Sequence, residues 1–422
     1  MSQIESETAD SPPLQAPEVD ASAVEGTASI GTASFNLANT VLGAGILTLP
    51  YSMMKCGWGL GLLFLALVGA SSALSFILLT ISSQYTQAFR YRTIAQKLYG
   101  PVVSQIIAVL VLIYTFGTTG SYCIVIRDNM FWWAERTPRN DLYKKLLLWG
   151  FMLFIILPLS LLPRIDFLNF TSLIALVSIF YVICVVAAFY FITNFDPTQH
   201  LAKGPPVLFN FSVDAFTAFP LLTTAFCGHY NSLNIYQELR GRSVRRMSVV
   251  VWITVLVSSA FNVAMALFGY FTFTDTLDSD ILRNVAEIPG ASVFFSIANG
   301  AMIVVLLFSY PLLSFGAKGT VESMIFRPGT KVPYKWGALI TLFNVLLPAL
   351  VATFIDSISV ILSFTSSLCG APMVFIIPGF FGLTVLRKSR GPTYLVVLSV
   401  ILIALGFVYM VSGFAAAIYG VI

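Results

Sequence analysis

The chain has 422 residues, 57% of them hydrophobic and only 10% charged, with a formal net charge of +4. Soluble domains carry about 25% charged residues, and a water-soluble fold of this length cannot hide so much apolar surface. Lipid is therefore the solvent, and with no basic, aromatic-interleaved cluster in a soluble segment, a nucleic-acid partner is excluded. Residues 1–30 hold Glu5, Glu7, Asp10, Glu18, Asp20 and Glu25 and no Lys or Arg. A cleavable signal needs a basic start, so this segment is expected to be a disordered acidic cytosolic tail.

From there to the end, apolar runs of bilayer-spanning length recur, continuous rather than alternating, which points to helices and not a β-barrel. Eleven spans are predicted near 33–54, 58–83, 102–131, 144–162, 167–193, 212–236, 249–273, 291–316, 336–355, 358–385 and 393–420. With the N-terminus cytosolic, inner loops hold fifteen of the 23 Lys and Arg, the run RGRSVRR (240–246) being the strongest group. The C-terminus then falls on the opposite side. Eleven spans divide as five plus five plus one within a transmembrane domain, 31–422. The first repeat would be 33–193, the second 212–385, and 393–420 an extra helix. An odd number of spans per half inverts the repeats in the membrane, and such repeats place a site where their first helices are interrupted.

Both first helices carry an interruption. In SFNLANTVLGAGILTLPY, Gly43 and Gly45 flank Ala44, and each glycine weakens a helix by about 1 kcal/mol relative to alanine. A half-helix starting near Ile46 would aim its positive end at an anion such as an α-carboxylate; close helix packing is the other reading of the same glycines. In the sixth span Cys227-Gly228-His229-Tyr230-Asn231 breaks an apolar run after Pro220. Carbonyls freed near Ala225, Phe226 and Cys227 suit an ammonium group, while His229 is read either as a site residue or as an interhelical hydrogen-bonding partner. Asn39, the carbonyl of Leu42 beside the first break, and Ser309 in the eighth span, where Pro311 disturbs the helix, offer oxygen ligands for a cation. Sodium is the natural guess, and a proton through His229 the alternative. Arg127, Asp128, Asp214, Glu238 and Asp356 fall near span ends and are read as solvated or snorkelling. No carboxylate sits at midplane, which favours a neutral zwitterion as substrate.

No GxxxxGK[ST], HExxH or GxSxG occurs, there are two histidines, and the five cysteines form no CxxC. These absences speak against an enzyme, an organic cofactor and a histidine-rich metal site. Asn210-Phe211-Ser212 is a glycosylation sequon that abuts the membrane. The sequence carries no signal for an oligomeric state.

These segments resemble the amino acid/auxin permease family, and within it the sodium-coupled neutral amino acid transporters. SFNLANTVLGAGIL is similar to the family's first span, GTTGSYCIVI with Ser121 and Tyr122 to its third, DFLNFTSLIALVSIFY to its fifth, and AFCGHYNSLNIYQEL to its sixth. The Ile377-Pro378 step also fits. The resemblance, running from about Ala33 to Arg390, implies the amino acid-polyamine-organocation type fold: an all-α integral membrane protein with a five-plus-five inverted repeat, broken helices 1 and 6, and an eleventh helix. It implies a substrate site at Gly43, Ala44, Gly45, Ile46, Tyr122, Ala225, Phe226, Cys227 and His229. It also implies a sodium site at Asn39, Leu42 and Ser309, the last standing where close relatives carry threonine. The expected activity is secondary active sodium symport of neutral L-amino acids, in the plasma membrane or a vacuolar or lysosomal membrane. Proton-coupled transport in a vacuolar or lysosomal membrane, an amino-acid sensor without flux, and an amino-acid-gated channel are the competing readings.

Overall fold

The computed structural model describes residues 26–133, 141–162, 168–195, 204–286, 292–326 and 332–419. Most of the expected acidic tail, residues 1–25, lies outside the described residues. Among those described, regular structure is helical throughout, and the one β-type contact is an isolated parallel bridge between Ala28 and Leu239.

The first span is α1 (Ile30–Val41), a 3₁₀ turn at Ala44–Thr48, and α2 (Leu49–Cys56), with a 49° bend at the break. Ser29 starts α1 by accepting from the Thr32 amide at 3.1 Å. The α2 helix ends at Gly57, whose φ of +83° is a conformation other residues rarely adopt. Its Cβ position would also lie 2.7 Å from the Leu208 carbonyl oxygen. The chain then turns straight into α3 (Trp58–Thr86). The stretch 204–214 lies against this corner: Gly59 donates to Leu208 O at 2.8 Å and Asn210 N to Cys56 O at 2.9 Å. The Asn210 side-chain amide, the atom a glycan would use, donates to Lys55 O at 2.9 Å.

The rest of the first half is α4 (Tyr91–Tyr99), α5 (Pro101–Trp133), α6 (Asp141–Phe151) continued through a π turn into α7 (Leu157–Leu161), and α8 (Leu168–Phe195). The sixth predicted span forms as two ten-residue helices, α9 (Ala215–Thr224) and α10 (His229–Glu238). Then come α11 (Val244–Phe273), α12 (Ile281–Ala286), α13 (Ser292–Ile325) and α14 (Tyr334–Phe354). The tenth span is α15 (Ile358–Thr365), two π turns across 366–376, and α16 (Ile377–Lys388); α17 (Thr393–Tyr419) is the eleventh. Nine helical segments among the described residues are long and apolar enough to cross a membrane, and the bent α1–α2 pair makes a tenth. The α9–α10 pair, with two short helices around a polar break, fills the remaining place.

The spans follow hydropathy closely, with two departures. The eighth predicted span was cut near 316, whereas α13 runs on to Ile325 with Pro311 inside it. One missing N–H does not end a helix packed along α5 and α8. The short helices α4 and α12 give no hydropathy signal because neither crosses the membrane.

Candidate functional site

The two breaks touch. A Cβ placed on Gly45 would meet Thr224 Cγ2 at 3.0 Å, one on Gly228 would meet Val41 Cγ2 at 2.7 Å, and one on Gly43 would meet Tyr122 Oη at 2.5 Å. A larger residue has little room at these positions, because side chains of α5 and of the opposite broken helix stand directly against the glycine backbone. Asn231 Nδ2 donates across the pair to Thr40 Oγ1 at 3.1 Å. Neither Gly43 nor Gly228 caps the helix it precedes with a side chain. Two helix starts, at Ala44 and His229, and two helix ends, at Leu42 and Ala225, therefore stand together with opposite partial charges.

Between them lies a cavity of only about 10 Å³, enough for about one water. Its walls include Gly43, Ala44, Gly45, Tyr122, Cys227 and Tyr230, and none of its lining residues is charged. Polar atoms come from Thr118, Ser121 and Thr224, whose hydroxyls donate to Tyr114 O, Thr118 O and Pro220 O. Their lone pairs remain available to a ligand. Thr224 also bonds Ser366 in the first π turn of the tenth span.

On the side of Thr27 and Ala28 the cavity is followed by a wide vestibule. One lobe of about 210 Å³ reaches Tyr230, which also walls the inner cavity. The other, about 450 Å³, reaches Ser172 and includes Thr27 and Ala28. Arg90, Asn234, Phe315 and Gly316 border both lobes. Ser172 accepts from Asn39 Nδ2 at 3.4 Å. Asn39 Oδ1 and Ser309 Oγ are each buried without a hydrogen-bond partner, on α1 and α13 respectively. Thus one lobe ends at the cavity wall and the other at the residue that touches Asn39.

The opposite face is shut by ion pairs. Arg127 on α5 is 4% exposed and donates to Asp128 Oδ1 at 3.0 Å, Asp356 Oδ1 at 2.9 Å and Ala352 O at 2.8 Å. Arg283 of α12 pairs with the second oxygen of Asp128 and donates to Asp356 O at 3.0 Å. Arg127, Asp128 and Asp356 are read from the sequence as solvated or snorkelling. Arg127 is instead buried, because a carboxylate and a carbonyl meet its guanidinium where it leaves water. Helix α12, which carries Arg283, also packs on the 3₁₀ turn of the first break.

Within this lid Asp280 is fully buried, its Oδ1 accepting from Leu282 N at 3.0 Å while Oδ2 has no partner. Burial pushes its carboxyl up to about 7, opposed by the Leu282 amide and Arg283 and reinforced by Asp128 and Asp278. The folded protein thus holds a proton here that the unfolded chain, with an ordinary carboxyl near 3.8, has released. Stability from this group is present below the unfolded value and is lost as pH rises to about 7. Asp280→Asn keeps the accepting oxygen and removes the titration. It is expected to raise the melting temperature at pH 8 and to flatten the pH 5–8 melting profile; an unchanged wild-type slope would refute this.

Residues 26–419 match the family described as transmembrane amino acid transporter protein. The chain belongs to that family. This transporter is therefore an integral, multi-pass membrane protein and not an enzyme. A Bos taurus protein provisionally named sodium-coupled neutral amino acid transporter 11 is 27% identical over 390 residues, covering 91% of this chain and 82% of its own length. The sodium-coupled neutral amino acid symporter 2 of Danio rerio is 25% identical over 418 residues, covering 91% and 81%. The crystal structure of MhsT in complex with L-phenylalanine superposes with a TM-score of 0.62 at 13% identity, covering 93% of this chain and 99% of that one. A substrate-bound outward-open sodium-coupled sialic acid symporter gives 0.58 at 13%, covering 93% and 88%. At that identity the likeness shows the fold, the five-plus-five inverted repeat with an added helix.

Of the substrate residues expected in this transporter, Gly43, Ala44, Gly45, Tyr122 and Cys227 line the cavity. Ile46, Ala225, Phe226 and His229 do not. The Ala225 carbonyl takes a hydrogen bond from Asn262 of α11 at 3.0 Å, and the Phe226 ring lies against Gly69 of α3. His229 is fully buried with its ring stacked on Phe76 at 3.9 Å, and neither nitrogen reaches a hydrogen-bond partner. The first turn of α10 points it at α3, away from the cavity. Sequence reasoning passed over Thr118, Thr224 and Tyr230. The last two flank the second break directly, and Thr118 shares a helix face with Ser121 and Tyr122 at spacings of three and four.

Proposed function

We propose that this transporter carries neutral L-amino acids in symport with sodium, the substrate lying between the two breaks. The uncharged cavity enclosed by two uncapped helix starts and two helix ends carries the reading. The amide ends at Ala44 and His229 suit an α-carboxylate, the carbonyl ends at Leu42 and Ala225 suit an ammonium group, and no charged wall residue awaits a charged side chain. Ala225 O keeps a second lone pair beside its bond from Asn262. The names of the Bos taurus and Danio rerio relatives support neutral substrates and sodium coupling.

For the ion we propose Asn39, the Leu42 carbonyl and Ser309. The unpartnered oxygens of Asn39 and Ser309 are buried groups of the type a hard cation takes. A vestibule whose lobes reach both Tyr230 and Ser172 releases substrate and ion to one side, as symport requires. That side, which carries RGRSVRR, is proposed as the cytosol, and the plasma membrane as the site of uptake.

Purified protein in liposomes, loaded with imposed sodium or proton gradients, tests this with labelled glutamine and alanine. Asn39→Ala should raise the sodium concentration for half-maximal uptake about tenfold or more, since an interaction with a charge is worth about 1.5–3 kcal/mol. Uptake that follows protons alone would replace sodium by a proton and favour an acidic organelle. Binding without flux under either gradient would make the chain a sensor.

A further inference from the structure

The lobe beneath Tyr230 has a charge pattern that transport through the central cavity does not use. Arg90 and Arg92, at the start of α4, and Lys318 of α13 line it, against the single carboxylate of Glu322. The two guanidinium groups are held by neutral acceptors: Arg90 Nη1 faces Gly319 O at 3.5 Å and Arg92 Nη1 donates to Ser323 O. A guanidinium has five N–H donors, so most remain for a ligand, and Arg92 Nε is buried without a partner. The ion pairs that join Arg127, Asp128, Asp278, Arg283 and Asp356 lie at the opposite face. The lobe, about 210 Å³, is far roomier than the cavity above it.

We propose that this lobe is a second, inner binding station for the amino acid, with its α-carboxylate on Arg90 and Arg92 and Lys318 adding to the field. It rests on the transport reading, because the ligand is the transported molecule. A carboxylate that leaves the helix starts at the breaks passes Tyr230 and meets these cations next. Planar guanidinium groups match a carboxylate in paired hydrogen bonds. The ammonium end has Glu322 and the Asn234 side chain within the same walls. Amino acid accumulated on this side occupies the station and slows further release, so that uptake is inhibited by its own product.

Equilibrium dialysis of the purified full-length protein against labelled L-glutamine, with sodium present, tests the station. The wild type is expected to bind two moles per mole, and Arg92→Gln and Lys318→Gln one. Gly45→Val, which obstructs the central cavity, should keep the vestibule mole and lose the other. Lys318→Gln supplies the answer where Arg92→Gln fails size-exclusion chromatography. One mole in the wild type, unaffected by Lys318→Gln, overturns the station and leaves the transport reading standing. No saturable binding in the wild type defeats the transport reading itself. Displacement of the second mole by inorganic phosphate or phosphatidylserine nanodiscs, at lower concentrations than by glutamine, assigns the lobe to phosphate ligands and overturns the proposal.

Discussion

Uptake by the Gly45→Val protein is expected to fall to background while the protein still folds. The added methyl groups enter the 3.0 Å gap to Thr224 Cγ2. Thr224 cannot swing aside cheaply, since its hydroxyl is bonded to Pro220 O and to Ser366. The side chain must push the two breaks apart or fill a cavity that holds about one water. Overpacking of this kind costs about 1–3 kcal/mol, a factor of about 5–150 in affinity, and it falls on the state that closes around substrate. Gly45→Ala, with one methyl group, should keep a fraction of the rate at raised KM. Liposome uptake together with a melting curve separates loss of function from loss of fold. Full transport by Gly45→Val would remove the breaks from the binding site.

The second large effect is expected at Asp128. Its carboxylate holds Arg127 with one oxygen and Arg283 with the other, joining α5 to α12. Asp128→Asn keeps the shape and removes the charge, leaving Asp356, which is 85% exposed, as the one carboxylate on buried Arg127 beside the Ala352 carbonyl. Breaking one partner of a buried pair costs about 3–5 kcal/mol, whereas an exposed pair is worth about 0–1. Asp356→Asn should therefore be nearly silent, and Asp128→Asn should disfavour the closed lid by more than about a hundredfold. Cys227 lines the cavity and serves as a native reporter. A membrane-impermeant maleimide added on the lid face should label it faster in Asp128→Asn, as read by mass spectrometry. Equal labelling of mutant and wild type would mean that these ion pairs do not hold the lid.

The topology was written in hydropathy, because lipid forces almost every span into a continuous apolar helix. The breaks were legible for a related reason: Gly43, Gly45 and the run from Cys227 to Asn231 are out of place in such helices. Asn39 and Ser309 stand out in the sequence as polar atoms at membrane depth, and both are buried. What the sequence does not carry is direction. His229 marks a break, but whether its ring faces the cavity or α3 depends on the rotation of α10, set by packing against Phe76. Arg127 and Asp128 look like any charges near a span end until Arg283, 155 positions after Asp128, comes alongside. The short helices α4 and α12, which border the vestibule and form the lid, leave no hydropathy trace.

The bridge between Ala28 and Leu239 bears on how many parts of this machine move independently. Ala28 N donates to Glu238 O at 2.9 Å and Arg240 N to Ala28 O at 3.0 Å, so the start of α1 is laced to the end of α10. At their other ends the same helices are joined by Asn231 and Thr40. Fastened at top and bottom, α1 and α10 form one lever, with the α10–α11 corner as its handle. A swing that closes the vestibule must carry both half-helices together. Whatever grips Arg240 to Arg246 from the same compartment therefore acts on the inner gate itself, even though these residues lie outside the cavity.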